Sequence, residues 1–279
     1  MSTLILYMVG DSMINADLHI HSSCSDGELG PDEIINIAIK KKLQYISITD
    51  HDTVSSQFNK SELINIIPGV ELSSRYNEQD IHILGYFIDL SDINLINALE
   101  KIKVNRIERA REIIELLKIH NIDIDIENVI NNNKIVGRSN IAHAIVERGY
   151  ADNYCEAFNK YLTPDSECYV PGDKLNVRDA IELILNNGGI PVLAHPGRIY
   201  NAMHVEDIIK MLKAYGLKGV EVYHPSHNLS NSNKFYNLCK KYKLIITGGS
   251  DFHRCDKSKA GIGECGVSEE LMHKFLMQV

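Results

Sequence analysis

Short apolar runs alternate with amphipathic stretches along most of the chain. The runs are rich in isoleucine, valine and tyrosine, a composition typical of buried β-strands. These predicted strands are residues 16–20, 45–49, 66–72, 81–87, 190–194, 219–223 and 244–248. Helical patterns such as residues 31–42 lie between most of them, whereas the polar segment 73–80 predicts a hairpin. Strands that alternate with helices predict an α/β fold of parallel βαβ units, numerous enough to close into a barrel.

Residues 92–172 interrupt this alternation, because they contain no convincing strand pattern. Apolar residues recur there at helical spacing, namely Leu95, Leu99, Ile102, Ala110, Ile113, Ile114 and Leu117. Two shorter helical patterns follow over residues 140–148 and 153–161. We therefore predict a barrel domain of residues 1–91 and 173–279, capped by a helical insertion of residues 92–172 that contributes to substrate binding. The alternative is that these helices belong to the outer ring of the barrel.

Composition narrows the class of protein. The chain has 279 residues with 24% charged residues, and its net charge of −8 argues against an extensive nucleic-acid-binding surface. Its six cysteines include no C-x-x-C pair, and no apolar stretch reaches the roughly 20 residues of a membrane span. We therefore expect a cytoplasmic protein that does not bind membranes. Residues 1–13 lack the features of a signal peptide, so we expect a leader before the first strand, with Met13 as an alternative initiator.

Histidines and carboxylates collect where the predicted strands end. The segment D-L-H-I-H ends the first strand, and His19 and His21 project from one face because side chains alternate along a strand. The carboxyl ends of barrel strands form one rim, where we expect all such residues to converge. The candidate ligands are His19, His21, Asp26, His51, Glu71, His82, His195, Asp251 and His253. One ion takes about four ligands, so the set predicts two or three divalent ions; Mn, Fe and Zn all accept imidazole with carboxylate.

Five motifs in order resemble those of the polymerase-and-histidinol-phosphatase (PHP) superfamily. They are D-L-H-x-H-S…S-D-G, T-D-H-D, P-G-V-E, A-H-P and S-D-x-H. The resemblance implies a distorted seven-stranded (β/α) barrel with a trinuclear metal site. The implied ligand sets are His19, His21, Glu71 and Asp251 for the first ion, Glu71, His82 and His195 for the second, and Asp26, His51 and His253 for the third. Some members have histidine in place of Asp26, and the aspartate resembles the phosphoesterase subgroup of the superfamily.

The chemistry follows from such ions. Two ions about 3.5–4 Å apart can share a hydroxide and aim it at phosphorus, and a third can neutralise the leaving alkoxide. The resemblance therefore implies hydrolysis of phosphomonoesters by a metal-bridging hydroxide. Asp17, Asp50 and Asp52 neighbour the histidines and are predicted to orient imidazoles. For Asp52, a loop or helix cap is the alternative.

Two more residues are predicted to bind the substrate. Arg138 lies in V-G-R-S-N-I-A-H at the start of a predicted helix, where its guanidinium and free backbone N–H groups suit phosphate. His224 ends the strand 219–223. The G-R-x-x-I-A segment resembles one in PHP members that act on nucleotides and RNA 5′ ends, in which an arginine and a histidine so placed contact the phosphate. The alternatives are a surface ion pair for Arg138 and a structural role for His224. Weaker candidates are Arg198 and Lys174 for phosphate and Tyr76 and Tyr200 for base stacking, whereas His143 is expected to be structural.

The predicted function is hydrolysis of phosphomonoesters of nucleotides, such as nucleoside 3′,5′-bisphosphates or short RNA 5′ ends. One alternative is histidinol-phosphate phosphatase, which shares the core and requires an acidic pocket for the amine. A second is a non-catalytic, metal-stabilised regulatory module. A dinuclear amidohydrolase shares the H-x-H opening, but Glu71 takes the bridging place that a modified lysine usually holds there. The sequence leaves the oligomeric state open.

Overall fold

The computed structural model describes residues 13–59, 61–77, 79–132, 135–199, 205–255 and 260–278. The leader predicted over residues 1–12 and the candidate Tyr200 lie outside these ranges. The strands are β1 (Ala16–Ile20), β2 (Tyr45–Ile48), β3 (Asn65–Ile66), β4 (Gly69–Tyr76), β5 (Gln79–Tyr86), β6 (Leu175–Asn176), β7 (Ile190–Leu193), β8 (Gly219–Tyr223) and β9 (Ile245–Gly248). The helices are α1 (Pro31–Lys40), α2 (Ile93–Ile119), α3 (Ile126–Asn132), α4 (Arg138–Glu147), α5 (Tyr154–Tyr161), α6 (Val177–Asn186), α7 (Val205–Ala214), α8 (Leu229–Tyr242) and α9 (Glu269–Leu276).

The strands form two sheets that are joined by single bridges. β1, β2 and β3 make a parallel sheet in that order, and the second sheet has the order β6-β4-β5-β7-β8-β9. In the second sheet β5 runs antiparallel to both its neighbours, and the other pairs are parallel. The bridges pair His51 with Glu71 and Ile20 with Phe252. The predicted α/β class, with parallel strands and intervening helices, is confirmed.

Some predicted boundaries are wrong for local reasons. The predicted strand 66–72 is two strands, because Pro68 lacks the N–H group that would continue the ladder. The hairpin turn is shorter than the polar segment 73–80, since β4 and β5 stay paired as far as Tyr76 and Gln79. Backbone pairing continues there although the side chains are polar. Helix α1 stops at Lys40, and Lys42 has a left-handed φ of 61°, a conformation that ends helices.

The apolar core has separate parts under the sheets and within the helices of residues 92–172. The first turns of α2 pack Leu95, Leu99 and Ile102 against the main core of the sheet and helices α6 to α8. The rest of α2 contributes Ala110 and Ile113, among others, to a second cluster with α3, α4 and α5. Each buried leucine or isoleucine contributes about 1.5–3 kcal/mol, so both clusters hold α2 firmly. None of the described helices is both long and apolar enough to cross a lipid bilayer.

Candidate metal centre

The nine side chains predicted as ligands form one continuous cluster. His19 lies on β1 and His21 just beyond it; Glu71 and His82 lie on the paired strands β4 and β5. His51, His195, Asp251 and His253 follow the ends of β2, β7 and β9, and Asp26 follows β1 in the loop before α1. Strand pairing therefore brings together residues that are far apart along the chain.

Four of these side chains direct one atom each toward a common point. His19 Nε2 lies 3.3 Å from Glu71 Oε2 and 3.4 Å from Asp251 Oδ1. His21 Nε2 lies 3.1 Å and 3.2 Å from the same two oxygens, and 3.1 Å from His19 Nε2. A tetrahedral ion with bonds of about 2.0–2.1 Å has ligand atoms about 3.3 Å apart. The donor atoms of His19, His21 and Glu71 all lie within 4.8 Å of one another, a spacing that fits a bound cation, and Asp251 Oδ1 lies beside both histidines.

The carboxylate of Glu71 connects two groups of histidines. Its Oε1 lies 2.9 Å from His82 Nδ1 and 3.0 Å from His195 Nε2. Its Oε2 lies 3.1 Å from His51 Nδ1, in addition to the contacts with His21 described above. Because its two oxygens face different imidazoles, each oxygen could contribute to the binding of a cation.

A third group surrounds Asp26. Its Oδ1 lies 3.3 Å from His253 Nε2 and 3.8 Å from His21 Nδ1. The ligand atoms of these three residues and His51 all lie within 4.8 Å of one another. Asp26 Oδ1, His21 Nδ1 and His51 Nδ1 are buried without a hydrogen-bond partner among the described residues. Buried polar atoms are nearly always paired, so this arrangement of donor atoms also fits a cation.

The cluster favours positive charge. Burial alone would lower the pKa of His19 and His21, but neighbouring carboxylates outweigh it, namely Glu221, Glu71 and Asp251 for His19 and Asp251 and Glu71 for His21. They raise the pKa of His21 to about 10 and that of His19 well above its usual range. Conversely, burial would raise the pKa of Glu71 and Asp251, but the surrounding histidines hold both well below their usual range. Two buried carboxylates that stay ionised stabilise a cation between them.

Backbone strain is concentrated at the same place. Asp52, His195 and Asp251 have φ angles of 50°, 25° and 48°, in the left-handed region that non-glycine residues avoid. Each such residue costs of order 1–3 kcal/mol and persists only where the surroundings fix it. The N–H of Asp251 donates to the carbonyl of His19 at 2.8 Å, and that of Asp52 donates to the carbonyl of Glu71 at 3.0 Å. These bonds tie the strained residues to the ligand-bearing strands.

Sequence reasoning missed Glu221, a fully buried carboxylate on β8. Burial would raise its pKa, but His19 and His224 lower it to about 2, so the group is ionised. Glu221 Oε1 accepts a hydrogen bond from His19 Nδ1 at 2.9 Å, and Oε2 accepts one from the backbone N–H of His195 at 2.7 Å. The first bond leaves His19 Nε2 free to bind a cation. The available signal was a carboxylate inside the apolar run G-V-E-V-Y.

The aspartates predicted to orient imidazoles have other partners. Asp17 accepts hydrogen bonds from backbone N–H groups, including that of Ser250 at 2.9 Å. Asp50 accepts from the N–H and the hydroxyl of Ser22, both at 2.7 Å. Asp52 accepts from backbone and guanidinium donors. Within the described residues these carboxylates fix loops rather than imidazoles, because backbone donors lie closer to them.

Two of the predicted substrate-binding candidates contact the cluster through Asp251. His224 is buried, and its Nε2 lies 3.2 Å from Asp251 Oδ2. Its other ring nitrogen lies 2.8 Å from the hydroxyl of Ser226. Arg198 Nη1 donates to the same Asp251 oxygen at 2.7 Å, and its side chain is half exposed. Both groups therefore border the cluster, and Arg198 does so from the solvent side.

Arg138 is the first residue of α4. Its Nη1 donates to the carbonyl of Leu162 at 3.0 Å, and its guanidinium lies over the rings of Phe158 and Tyr169 at 5.3 Å and 5.5 Å. No carboxylate of the described residues lies within ion-pair distance of it. The alternative of a surface ion pair therefore does not hold for this part of the chain.

Two of the weaker substrate-binding candidates have structural contacts. Lys174 forms a 2.7 Å ion pair with Asp80, and Tyr76 packs against the main core. His143 stacks on Tyr154, with ring centroids 4.9 Å apart. Lys174 and Tyr76 thus have structural contacts that account for them.

A buried cluster of imidazoles and carboxylates at the strand ends of an α/β fold defines the class of metal-dependent hydrolases. The PHP domain model matches residues 17–162. The chain is 32% identical over 260 residues to the 3′,5′-nucleoside bisphosphate phosphatase of Chromobacterium violaceum, covering 90% of this chain and 91% of that protein. It is 31% identical over 249 residues to the 5′-3′ exoribonuclease Rnm of Escherichia coli K12, covering 85% of each.

A solved structure of an amidohydrolase from Chromobacterium violaceum, with bound sulfate and no metal, superposes with a TM-score of 0.84. It shares 29% identity and covers 95% of this chain and 96% of its own. The chain therefore belongs to the PHP domain family. The resemblance predicted from the five motifs is confirmed, and so is the class of metal-dependent phosphoesterase.

Proposed function

We propose that this protein hydrolyses phosphomonoesters of nucleotides, with nucleoside 3′,5′-bisphosphates or the 5′ ends of short RNA as substrates. The observation that carries the proposal is the carboxylate of Glu71, whose two oxygens face separate groups of histidines. A bridging carboxylate of this kind suits a site with several ions. The names of the relatives, a nucleoside bisphosphate phosphatase and an exoribonuclease, support the choice of substrate class.

Three divalent ions, of Mn, Fe or Zn, would be held by the cluster. The sets would be His19, His21, Glu71 and Asp251; Glu71, His82 and His195; and Asp26, His51 and His253. When bound, such ions lower the pKa of water and neutralise charge on a phosphate. The spacings of 3.1–3.4 Å among the donor atoms of the first set support this assignment. The unpartnered buried atoms around Asp26 support the third set.

The residues around the cluster have distinct roles in the proposal. Glu221 orients His19 through Nδ1, so that Nε2 faces the first set. His224 and Arg198 present donors at Asp251 Oδ2, beside the ions, where they would bind oxygens of the phosphate. Because Arg198 is half exposed, it can meet a substrate that arrives from solvent.

Arg138 would bind a second phosphate of the substrate. It lines one small cavity together with Arg106 and Arg109, between α2 and α4. Burial and the nearby charge of Arg138 lower the pKa of Arg109 to about 10. Within the described residues neither Arg109 nor Arg138 has a carboxylate in ion-pair distance. Positive charge that no carboxylate balances favours an anionic ligand.

We also propose that the two sheets form one distorted (β/α)7 barrel of residues 1–91 and 173–279, capped by residues 92–172. The bridges from His51 to Glu71 and from Ile20 to Phe252 support closure, since they link the ends of β2 and β1 in the small sheet to β4 and to the segment after β9. The separate apolar cluster of α2 to α5 supports a cap with its own core.

A phosphate-release screen tests the function. The purified protein, supplied with Mn²⁺, Fe²⁺ or Zn²⁺, should release phosphate from a nucleoside 3′,5′-bisphosphate faster than from histidinol phosphate. A chelator should abolish the release. A preference for histidinol phosphate would contradict the proposal, and so would a metal-loaded protein that cleaves no phosphoester.

Arg138→Ala tests the second phosphate site. It should raise KM for the bisphosphate by about 10-fold or more, since a charge-assisted hydrogen bond contributes about 1.5–3 kcal/mol, and should affect a monophosphate less. Arg148→Ala is the matched control, because Arg148 is exposed at the opposite end of the same helix. Equal loss on both substrates would contradict the assignment of Arg138.

A further inference from the structure

We propose that Tyr154 and His143 form a stacking platform for a nucleobase of the substrate. The inference rests on the proposed function and adds a contact for the base to those for phosphate. Tyr154 is the first residue of α5 and His143 lies on α4. Their ring centroids are 4.9 Å apart with the planes inclined by 31°. The ring of Phe158, one turn along α5, follows at 5.7 Å and 28°. We call His143, Tyr154 and Phe158 the aromatic row.

The core does not account for Tyr154. Phe158 and Tyr161 on the same helix pack against the apolar cluster of α2 to α5, but Tyr154 is not part of that cluster. Tyr154 is 36% exposed. A large aromatic side chain outside the core, held in place by a neighbouring ring, presents a rigid surface at little entropic cost.

Two rings of the aromatic row, those of Tyr154 and His143, are influenced by the charge of the metal centre. Burial and then the charge of Asp26 raise the pKa of Tyr154, so its hydroxyl is within electrostatic reach of that candidate ligand. Burial and then the charge of Arg254 lower the pKa of His143, and Asp26 acts on it in the opposite direction. Both rings therefore lie within the electrostatic range of Asp26, a member of the third ligand group.

The aromatic row also contacts Arg138, the residue proposed to bind the second phosphate. The guanidinium of Arg138 lies over the ring of Phe158 at 5.3 Å. The hydroxyl of Tyr154 hydrogen-bonds the side chain of Ser139, the residue after Arg138. A ligand that places one phosphate at Arg138 and another at the ions would therefore have its base beside Tyr154.

The chemistry of the row predicts what it selects. Every base has a π-face, so stacking on an aromatic side chain is tolerant of sequence. The row would therefore favour base-bearing substrates over sugar phosphates without choosing among bases. Losing one stacking side chain typically weakens binding by roughly 5- to 150-fold. Because His143 would remain, we expect the lower end of this range for Tyr154.

The test compares a nucleoside 3′,5′-bisphosphate with the corresponding abasic ribose bisphosphate, using the full-length, metal-loaded protein. Tyr154→Ala should raise KM for the nucleotide roughly fivefold or more, with a much smaller change for the abasic compound. Tyr154→Phe should restore the nucleotide KM, because it keeps the ring. Equal losses on both compounds, or no loss on either, would overturn the platform, since a merely structural tyrosine does not distinguish them.

Calorimetric binding of the same two compounds separates this inference from the proposed function. If the wild-type protein turns over neither compound but binds the nucleotide more tightly, and Tyr154→Ala removes the difference, the proposed function fails and the platform stands. If it turns over both compounds with equal KM and equal affinity, the function stands and the platform fails.

Discussion

Replacing Glu221 by glutamine tests how the metal centre is held. The carboxylate accepts two hydrogen bonds, from His19 Nδ1 and from the backbone N–H of His195. Glutamine has nearly the same shape but only one acceptor oxygen. If that oxygen faces His195, the amide donates toward His19 Nδ1 and moves the imidazole proton to Nε2. If it faces His19, the amide and the N–H of His195 become two donors in contact.

Either orientation damages the candidate ligand set. In the first, His19 Nε2 carries a proton and cannot bind a cation, although it faces Glu71 and Asp251. In the second, the left-handed backbone of His195 loses the acceptor that fixes it. Loss of such outer partners of metal-binding histidines typically lowers metal affinity or activity about 10- to 100-fold. This corresponds to about 1.4–2.8 kcal/mol.

The assay is metal content after dialysis in a metal buffer, together with phosphate release from the same samples. Glu221→Gln should retain less metal at limiting concentration, and excess metal should restore part of the activity. Glu264→Gln serves as the control, because Glu264 is exposed and pairs with Lys41 at 3.1 Å. A Glu221→Gln protein with wild-type metal content and wild-type turnover would refute the reasoning.

Two further predictions follow from packing and from burial. Gly249→Ala should lower metal retention and destabilise the protein, because an added Cβ would lie 2.4 Å from the backbone nitrogen of His19. Urea unfolding and metal analysis measure these two effects, and a variant with unchanged stability and metal content would contradict the prediction. His227 accepts from Gly197 N–H and donates to the carbonyl of Val222, and burial lowers its pKa to about 4. Below pH 6.5, the ordinary pKa of histidine, the unfolded chain binds a proton at His227 that the folded chain does not bind. The free energy of unfolding is therefore unaffected by this group above pH 6.5 and decreases as the pH falls toward 4, by roughly 3 kcal/mol in total. In chelator-treated protein His227→Gln should remove that part of the pH dependence, and an equal slope in wild type and variant would count against the assignment.

Local sequence patterns predicted those features of the site that depend on residues close together in the chain. The spacing of His19 and His21 follows from strand alternation, and both indeed direct Nε2 to the same oxygens. The family motifs added the remaining ligand-type residues, including Glu71. Contacts between residues that are far apart in the sequence could not be predicted. Glu221 contacts His19 across 202 positions, and no local pattern specifies such a partner.

Strand ends were harder to predict for a related reason. The hairpin of β4 and β5 extends through polar residues, since Ser74 pairs with Ile81 and Arg75 with Asp80 in the backbone ladder. Hydrophobic patterning reports which side chains are buried, whereas the ladder depends on backbone groups that every non-proline residue carries. The pattern therefore located the hairpin but placed its turn too widely.

One arginine links helix α2 to the loop that follows the candidate ligand His51. Arg106 on α2 donates through Nε and Nη2 to Asp52, through Nη2 to the hydroxyl of Ser73, and through Nη1 to the carbonyl of Val136. Asp52 is fully buried, so burial would raise its pKa, but Arg106 holds the pKa below its usual value. Breaking a buried pair by removing one partner costs about 3–5 kcal/mol, because the remaining charge is left uncompensated. Asp52 follows the candidate ligand His51, and Val136 precedes Arg138 by two residues, so one guanidinium connects the backbone near the metal centre to the backbone near Arg138. We therefore expect Arg106→Ala to weaken the discrimination between a bisphosphate and a monophosphate, because a preorganised site loses less entropy on binding.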